Sequence, residues 1–217
     1  MTYDAVIFDL DGTLIDSERH FFEAGVTVFE RHGAQMTRAL FSRILGTDGV
    51  TGNRILAEAL PQLDLAAVNR DWDAEIRARL AYGVAPRPGA IDLLERLHGA
   101  GIPAAVATSS GTGAAGRKLR ASDLARYFDV VVTSDDVEHR KPAPDPYLLA
   151  ARRLGVPATR CLAFEDSAPG ALSAWRAGCR VVLVPDMANP SPEHAHVVAG
   201  NLLEGAQAAG LWETTRC

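Results

Sequence analysis

Five short apolar runs, rich in β-branched residues, recur along the chain and alternate with longer stretches of helical periodicity. This alternation constrains the fold more than any other feature. The runs are Tyr3 to Phe8, Ile102 to Ala107, Asp129 to Thr133, Arg160 to Phe164 and Arg180 to Val184. A strand that is apolar on both faces must be covered on both faces, which is the situation of a parallel sheet. Helices are expected at about 88–99, 113–121, 144–154 and 168–177. The third opens on Pro144, and the third and fourth stop before Gly155 and Gly178, as helix starts and stops should. Together these elements predict an α/β class, with a doubly wound, Rossmann-like parallel sheet.

Residues 17–85 break the pattern. They show no convincing strand and read as helices throughout, with Phe21, Phe22, Val26 and Phe29 as an amphipathic stripe and Ala66 to Tyr82 as a long helical stretch. That is too long for a crossover helix. The reading is an inserted all-helical cap over 17–85, hinged near Ile15–Ser17 and Pro86–Pro88, with 1–16 and 86–217 forming the Rossmann-like catalytic core. The tail, 186–217, is weakly patterned, and Ala188–Pro192 reads as loop.

At 217 residues the chain is long enough to bury a sizeable core without staples. A net charge of −5 argues against a nucleic-acid or acidic-membrane partner. No apolar run approaches a membrane span, and the N-terminus leads directly into a strand-like run without a signal peptide. Cys161, Cys179 and Cys217 are odd in number and lack metal-site spacing, so free thiols in a reducing cytoplasm are expected.

Ligands of open α/β sheets bind at the carboxyl ends of the strands. Here Asp9 and Asp11, with Gly12 and Thr13, follow the first strand, Thr108-Ser109-Ser110 the second, and Glu165-Asp166-Ser167 the fourth. Each signal alone has an ordinary reading. Asp-Gly is usually a turn, and the other two motifs are usually helix caps. Their joint occurrence at three strand ends points instead to one crevice. Asp9, Asp11, Glu165 and Asp166 would repel one another unless a cation lay among them, and oxygen-only ligands favour Mg2+. His98, His139, His194 and His196 have no partner at ligand spacing, and Trp72, Trp175 and Trp212 read as packing residues.

FDLDGTL at 8–14, ATSS at 107–110, RKPAPDPY at 140–147 and FEDSAPGALSAWRAG at 164–178 resemble the four motifs of the haloacid dehalogenase superfamily. The likeness is strongest to the branch of sugar-phosphate and nucleotide-type phosphatases and β-phosphoglucomutase. It implies an enzyme, a phosphoric monoester hydrolase using Mg2+. Asp9 would be the nucleophile that becomes an aspartyl-phosphate, and Asp11 the general acid and base. The cation would be held by Asp9, the Asp11 backbone carbonyl, Asp166 and, directly or through water, Glu165. Thr108 and the Ser109 amide would hold phosphoryl oxygens at a helix N-terminus, with Lys141 completing the charge balance. The carboxylate at Asp11 favours phosphoryl transfer over carbon–halogen cleavage.

The alternative is a β-phosphoglucomutase-type phosphomutase. That type carries a His where this chain has Phe21; His20 is adjacent, but one residue turns a helical side chain by roughly 100°. It also carries an Arg where Gly49 aligns and a Lys where Gly111 stands. These departures favour the phosphatase. The cap should choose the substrate, a small phosphorylated metabolite, with Glu18, Arg19, Thr47, Asp48, Asn53 and Arg54 as candidate contacts and Gly46 and Gly49 flanking a loop able to act as a lid. ATSSG followed by Val184–Asp186 resembles phosphatases acting on pseudouridine monophosphate and hexose phosphates. A monomer or weak dimer is expected. Finally, of 22 basic residues only Lys118 and Lys141 are lysines. In such an arginine-rich chain Lys141 reads as chosen, a compact ammonium where a guanidinium fork would be too large. Lys118, between Arg117 and Leu119 on a helical stretch, receives no such reading.

Overall fold

The computed structural model describes residues 3–45, 47, 49–187 and 189–212. The chain divides into two compact units, Met1–Asp16 with Ala85–Cys217, and Ser17–Val84.

The larger unit is built on β1 (Ala5–Phe8), and the smaller one contains α1 (Ser17–Arg31), α2 (Arg38–Ile44), α3 (Gly49–Ala59) and α4 (Leu65–Leu80). The chain then returns to the larger unit with α5 (Ala90–Gly99), β2 (Ala104–Ala107), α6 (Thr112–Ala121), β3 (Val130–Val132), α7 (Asp145–Leu154), β4 (Cys161–Glu165), α8 (Ala168–Arg176), β5 (Arg180–Leu183), β6 (Val197–Val198) and α9 (Leu202–Ala208). The sheet order is β3-β2-β1-β4-β5-β6, and every pairing is parallel. This is the expected Rossmann-like sheet, with a helical insertion as the cap.

The order places a topological switch at β1. The chain steps outward to β2 and β3 on one side, then crosses back to β4 on the other. A crevice opens at such a point beyond the carboxyl ends of the strands. Register carries the two central strands to the same level, because Phe8 lies opposite Phe164, with their rings stacked at 5.1 Å. The central strands are buried throughout, which explains their unbroken apolar runs. Among the described residues Tyr147 is the largest fully buried side chain. It joins a cluster that holds Ile7 and Leu183 together with many small residues, among them Ala105, Ala107, Ala163 and Ala174.

Helix boundaries follow local chemistry. Gly89, at φ 81°, caps α5, so the helix begins two residues later than the expected Pro88. Gly155, at φ 75°, ends α7 in the left-handed conformation. In the smaller unit Thr37 and Asp64 accept amide hydrogen bonds at the starts of α2 and α4. α1 and α4 meet around Phe29 and Trp72, edge to face at 5.4 Å, and the Trp72 indole donates to the Phe21 carbonyl.

Three sequence expectations need correction. The buried seam of α1 runs through Ala24, Gly25, Val28 and Phe29, whereas Val26 is exposed. Gly25 lets the Trp72 ring approach closely, since a Cβ there would stand 3.1 Å from it, so a small residue sits at the seam where the large ones were expected. Trp175 is half exposed and stacks edge-on against His194 rather than joining the core. The tail is ordered beyond its weak pattern. β6 extends the sheet, and α9 packs on it through Gly205, where a Cβ would collide with Val182. Residues 189–192 are loop; Ala188 and Cys217 lie outside the described residues.

Candidate active site

β1 ends where its ladder does. The Asp9 amide donates to Phe164 in the last rung, and the chain then turns through Leu10 to Ile15. Gly12 takes φ 82°, a conformation that a side chain would strain. Leu14 and Ile15 amides both return to the Leu10 carbonyl, so the turn is closed on itself. It leaves Asp9 buried and Asp11 partly exposed at the strand end. From the neighbouring strand, Glu165 closes β4, and Asp166 follows it into the crevice.

Asp9, Glu165 and Asp166 each offer a carboxylate oxygen within 4.8 Å of the others, and all three are buried. This is an all-oxygen donor set of the kind that hard divalent cations take. The Asp166 carboxylate accepts from the Thr13 hydroxyl at 3.2 Å. Lys141 lies among the acids, its ammonium 2.6 Å from both Asp9 Oδ1 and Glu165 Oε1. Its loop is fastened from α8, because Ser173 donates to the Ala143 carbonyl and Arg176 to that of Pro142. Glu165 also accepts from the Tyr147 phenol at 2.5 Å and from the Ser167 hydroxyl at 3.2 Å.

The charge balance is uneven. Asp9 and Glu165 share the Lys141 ammonium, and Asp166 stands beside them. Burial pushes the Asp9 carboxyl up to about 8; the Lys141 ammonium opposes this, and the Glu165 and Asp11 charges add to it. Burial pulls the Lys141 ammonium down, but the Asp9 and Glu165 carboxylates outweigh it and leave its pKa raised. A further cation in the trio would restore the balance and return Asp9 to its ionised form at neutral pH.

The sequence profile of the haloacid dehalogenase-like hydrolases matches residues 6–184. The chain belongs to this family. A phosphorylated carbohydrates phosphatase of Thermotoga maritima is 39% identical over 176 residues, covering 81% of this chain and 82% of that one. The fructose-1-phosphate phosphatase YqaB of Escherichia coli is 36% identical over 185 residues, covering 83% of this chain and 95% of its own. Among solved structures, CbbY of Rhodobacter sphaeroides, bound to phosphate, superposes with a TM-score of 0.77 at 31% identity over 94% of this chain and 96% of that one.

In this haloacid dehalogenase-like enzyme Asp9, Lys141, Glu165 and Asp166, singled out in the sequence, lie together. Thr108 is buried at the end of β2, where its amide donates to Val132, and its hydroxyl oxygen accepts from the Ser110 amide at 3.0 Å. Ser109 is exposed beside it. The helix that follows starts only at Thr112, so Thr108 and Ser109 stand on a loop before α6, not at its first turn.

The Asp11 carboxylate stands outside the trio. Lys118 Nζ lies 2.7 Å from both of its oxygens, and the Ser110 hydroxyl donates to it at 2.8 Å. Lys118 is buried in α6, contrary to the plain helical position expected for it. The four acids are thus interleaved with two ammonium groups, one per aspartate of the first motif. Lysine scarcity was the signal that could have found Lys118, since both lysines of the chain lie here.

The cap candidates carry interactions of their own within the smaller unit. Asn53 accepts from Asn69 at 2.8 Å, Arg54 pairs with Glu58 at 3.7 Å, Arg19 pairs with Glu23 at 3.1 Å, and the Thr47 hydroxyl donates to Ile44. Glu18 is buried in the first turn of α1. Of the loop suggested as a lid, Gly46 and Asp48 lie outside the described residues, and Gly49 opens α3.

Proposed function

We propose that this protein is a Mg2+-dependent phosphatase of small phosphate monoesters that works through an aspartyl-phosphate on Asp9. The observation that carries the reading is the environment of Asp9. It is a buried carboxylate at a switch-point strand end, touched by Lys141 and grouped with Glu165 and Asp166, with a second carboxylate two residues on.

An Asp9 carboxylate oxygen attacks phosphorus, and the ester P–O bond breaks. The leaving oxygen takes the proton of Asp11 in its acid form, giving the alcohol. Asp11, now a carboxylate, accepts a proton from water as the water oxygen attacks phosphorus. The bond from phosphorus to Asp9 breaks, inorganic phosphate departs, and Asp11 is again protonated. Lys141 balances the charge of the phosphoryl group, while the Thr108 hydroxyl and Ser109 amide donate to its oxygens. A hydroxyl whose oxygen already accepts still has its proton to give.

Asp9, Asp166 and the Asp11 carbonyl would hold Mg2+, with Glu165 behind them. When bound, it supplies positive charge against the transferring phosphoryl oxygens. Both named phosphatase relatives act on phosphorylated carbohydrates by their descriptions, which favours a sugar phosphate here. Glu18, Thr47, Asn53 and Arg54 are the proposed substrate contacts from the cap.

The test is a panel of sugar, polyol and nucleoside phosphates assayed with Mg2+ for free phosphate. Release that EDTA abolishes is the expected result. No release from any compound, or release indifferent to EDTA, would overturn the reading. Isomerisation of β-glucose 1-phosphate primed by a bisphosphate would assign a mutase instead.

A further inference from the structure

Lys118 is costly where it stands. Its side chain is only 6% exposed, in a helix whose apolar neighbours Ala115 and Leu119 are buried as well. An apolar residue of similar length would suit a fold better than a buried ion pair. The ammonium instead makes three bonds at the active-site end of the crevice, two to Asp11 at 2.7 Å and one to the Ser110 hydroxyl at 2.9 Å. The Ser110 hydroxyl in turn donates a hydrogen bond to Asp11 Oδ2, so the three groups form a closed triangle.

We propose that Lys118, supported by Ser110, is the positioning residue that holds the Asp11 carboxylate aside from the Asp9, Glu165 and Asp166 trio and aimed for proton transfer. This inference rests on the phosphatase reading, which makes Asp11 the acid and base. Two carboxylates so close to one cation site face a choice of role. An unanchored Asp11 side chain could rotate about χ1 and bind a cation through its carboxylate. Gripping both oxygens at once fixes χ1 and χ2 together, which a single hydrogen bond cannot do. Each aspartate of the motif then has its own ammonium, Lys141 for the nucleophile and Lys118 for the proton carrier. Lys118 does not touch the substrate; it acts through Asp11.

The leaving group separates this role from a merely structural one. kcat/KM reports the step in which Asp9 is phosphorylated and the alcohol departs. An alkyl leaving group needs a proton there, whereas 4-nitrophenolate does not. Lys118→Met should lower kcat/KM about 100-fold for the sugar phosphate that the wild type cleaves fastest, and by less than about fivefold for 4-nitrophenyl phosphate. In an Asp11→Asn background the same change should cost less than about twofold more, because the residue through which Lys118 acts is gone. Ser110→Ala, which leaves no buried charge unpaired, should show the same split at about tenfold and serves if Lys118→Met does not fold. Equal losses on both substrates, no loss, or a full additional loss in the Asp11→Asn background would overturn the proposal while leaving the phosphatase reading standing. A wild type that cleaves neither substrate would overturn that reading, and this inference with it.

Discussion

A Cβ on Gly170 would stand 2.0 Å from Oε2 of Glu165. The residue is glycine because the carboxylate lies over the first turn of α8, where the helix dipole favours it and Ser167, the N-cap, accepts from the Gly170 amide. Gly170→Ala should therefore push Glu165 off its bonds with Lys141 and Tyr147. The expected cost is about 1–3 kcal/mol of stability, with a loss of activity that exceeds the loss of folded protein. Urea unfolding and kcat/KM on the same preparation check it. Unchanged values for both would show that the carboxylate has room to move.

Asp9→Asn should abolish turnover, by about 10³-fold or more, while the protein keeps its fold. The amide still accepts from Lys141 and no longer repels Glu165. Near-wild-type circular dichroism with no phosphate release is the expected pair of results, and retained turnover would remove Asp9 as nucleophile.

Lys141→Arg keeps the charge but not the shape. The ammonium sits 2.6 Å from two carboxylates with its side chain 5% exposed, leaving no room for a planar fork. Activity should fall about 100-fold or more. Near-normal turnover would defeat the argument from size.

Stability should respond to pH and Mg2+ together. With its folded pKa pushed up to about 8, against about 3.9 in an unfolded chain, Asp9 binds its proton more tightly when folded. Its contribution to the stability of the metal-free protein therefore falls as pH rises between those values. Mg2+ favours the ionised form, so the gain in melting temperature from Mg2+ over EDTA should be larger at pH 8 than at pH 5. An equal gain at both would contradict the assignment of Asp9 as the strained carboxylate.

The sheet and the core of the site were legible because each depends on local rules. Apolar runs must be buried, and polar groups that end three such runs converge wherever parallel strands share an end. Asp9, Thr108, Glu165 and Asp166 could be read in this way, whereas Lys141 was legible through the motif resemblance and the scarcity of lysine. Lys118 could not be read from its own neighbourhood, because it reaches Asp11 across 107 positions of sequence and sits within an arginine-rich helical stretch. Tyr147 was hidden likewise, as an aromatic at a helix start that looks like packing until its phenol meets Glu165. The tail escaped because β6 has two residues, too few for a period, and α9 is placed by the absence of a side chain at Gly205 rather than by a stripe. In the cap, Asn53, Arg54 and Arg19 have the polarity of substrate contacts but are partnered by residues of their own unit, which polarity alone does not reveal.

The brevity of β6 has a consequence for solubility. Val197–Val198 lies at one margin of the sheet, and the other margin, Val130–Val132, is only one residue longer. A margin of two or three residues offers too few unpaired amides and carbonyls to template the strand of another molecule. A chain cut before Ala195 would bare β5, whose Val181, Val182 and Leu183 are buried, and would give neighbouring molecules an apolar strand to zip onto. The short final strand and the helix that presses on it thus shield the sheet from self-association, away from any chemistry at the crevice.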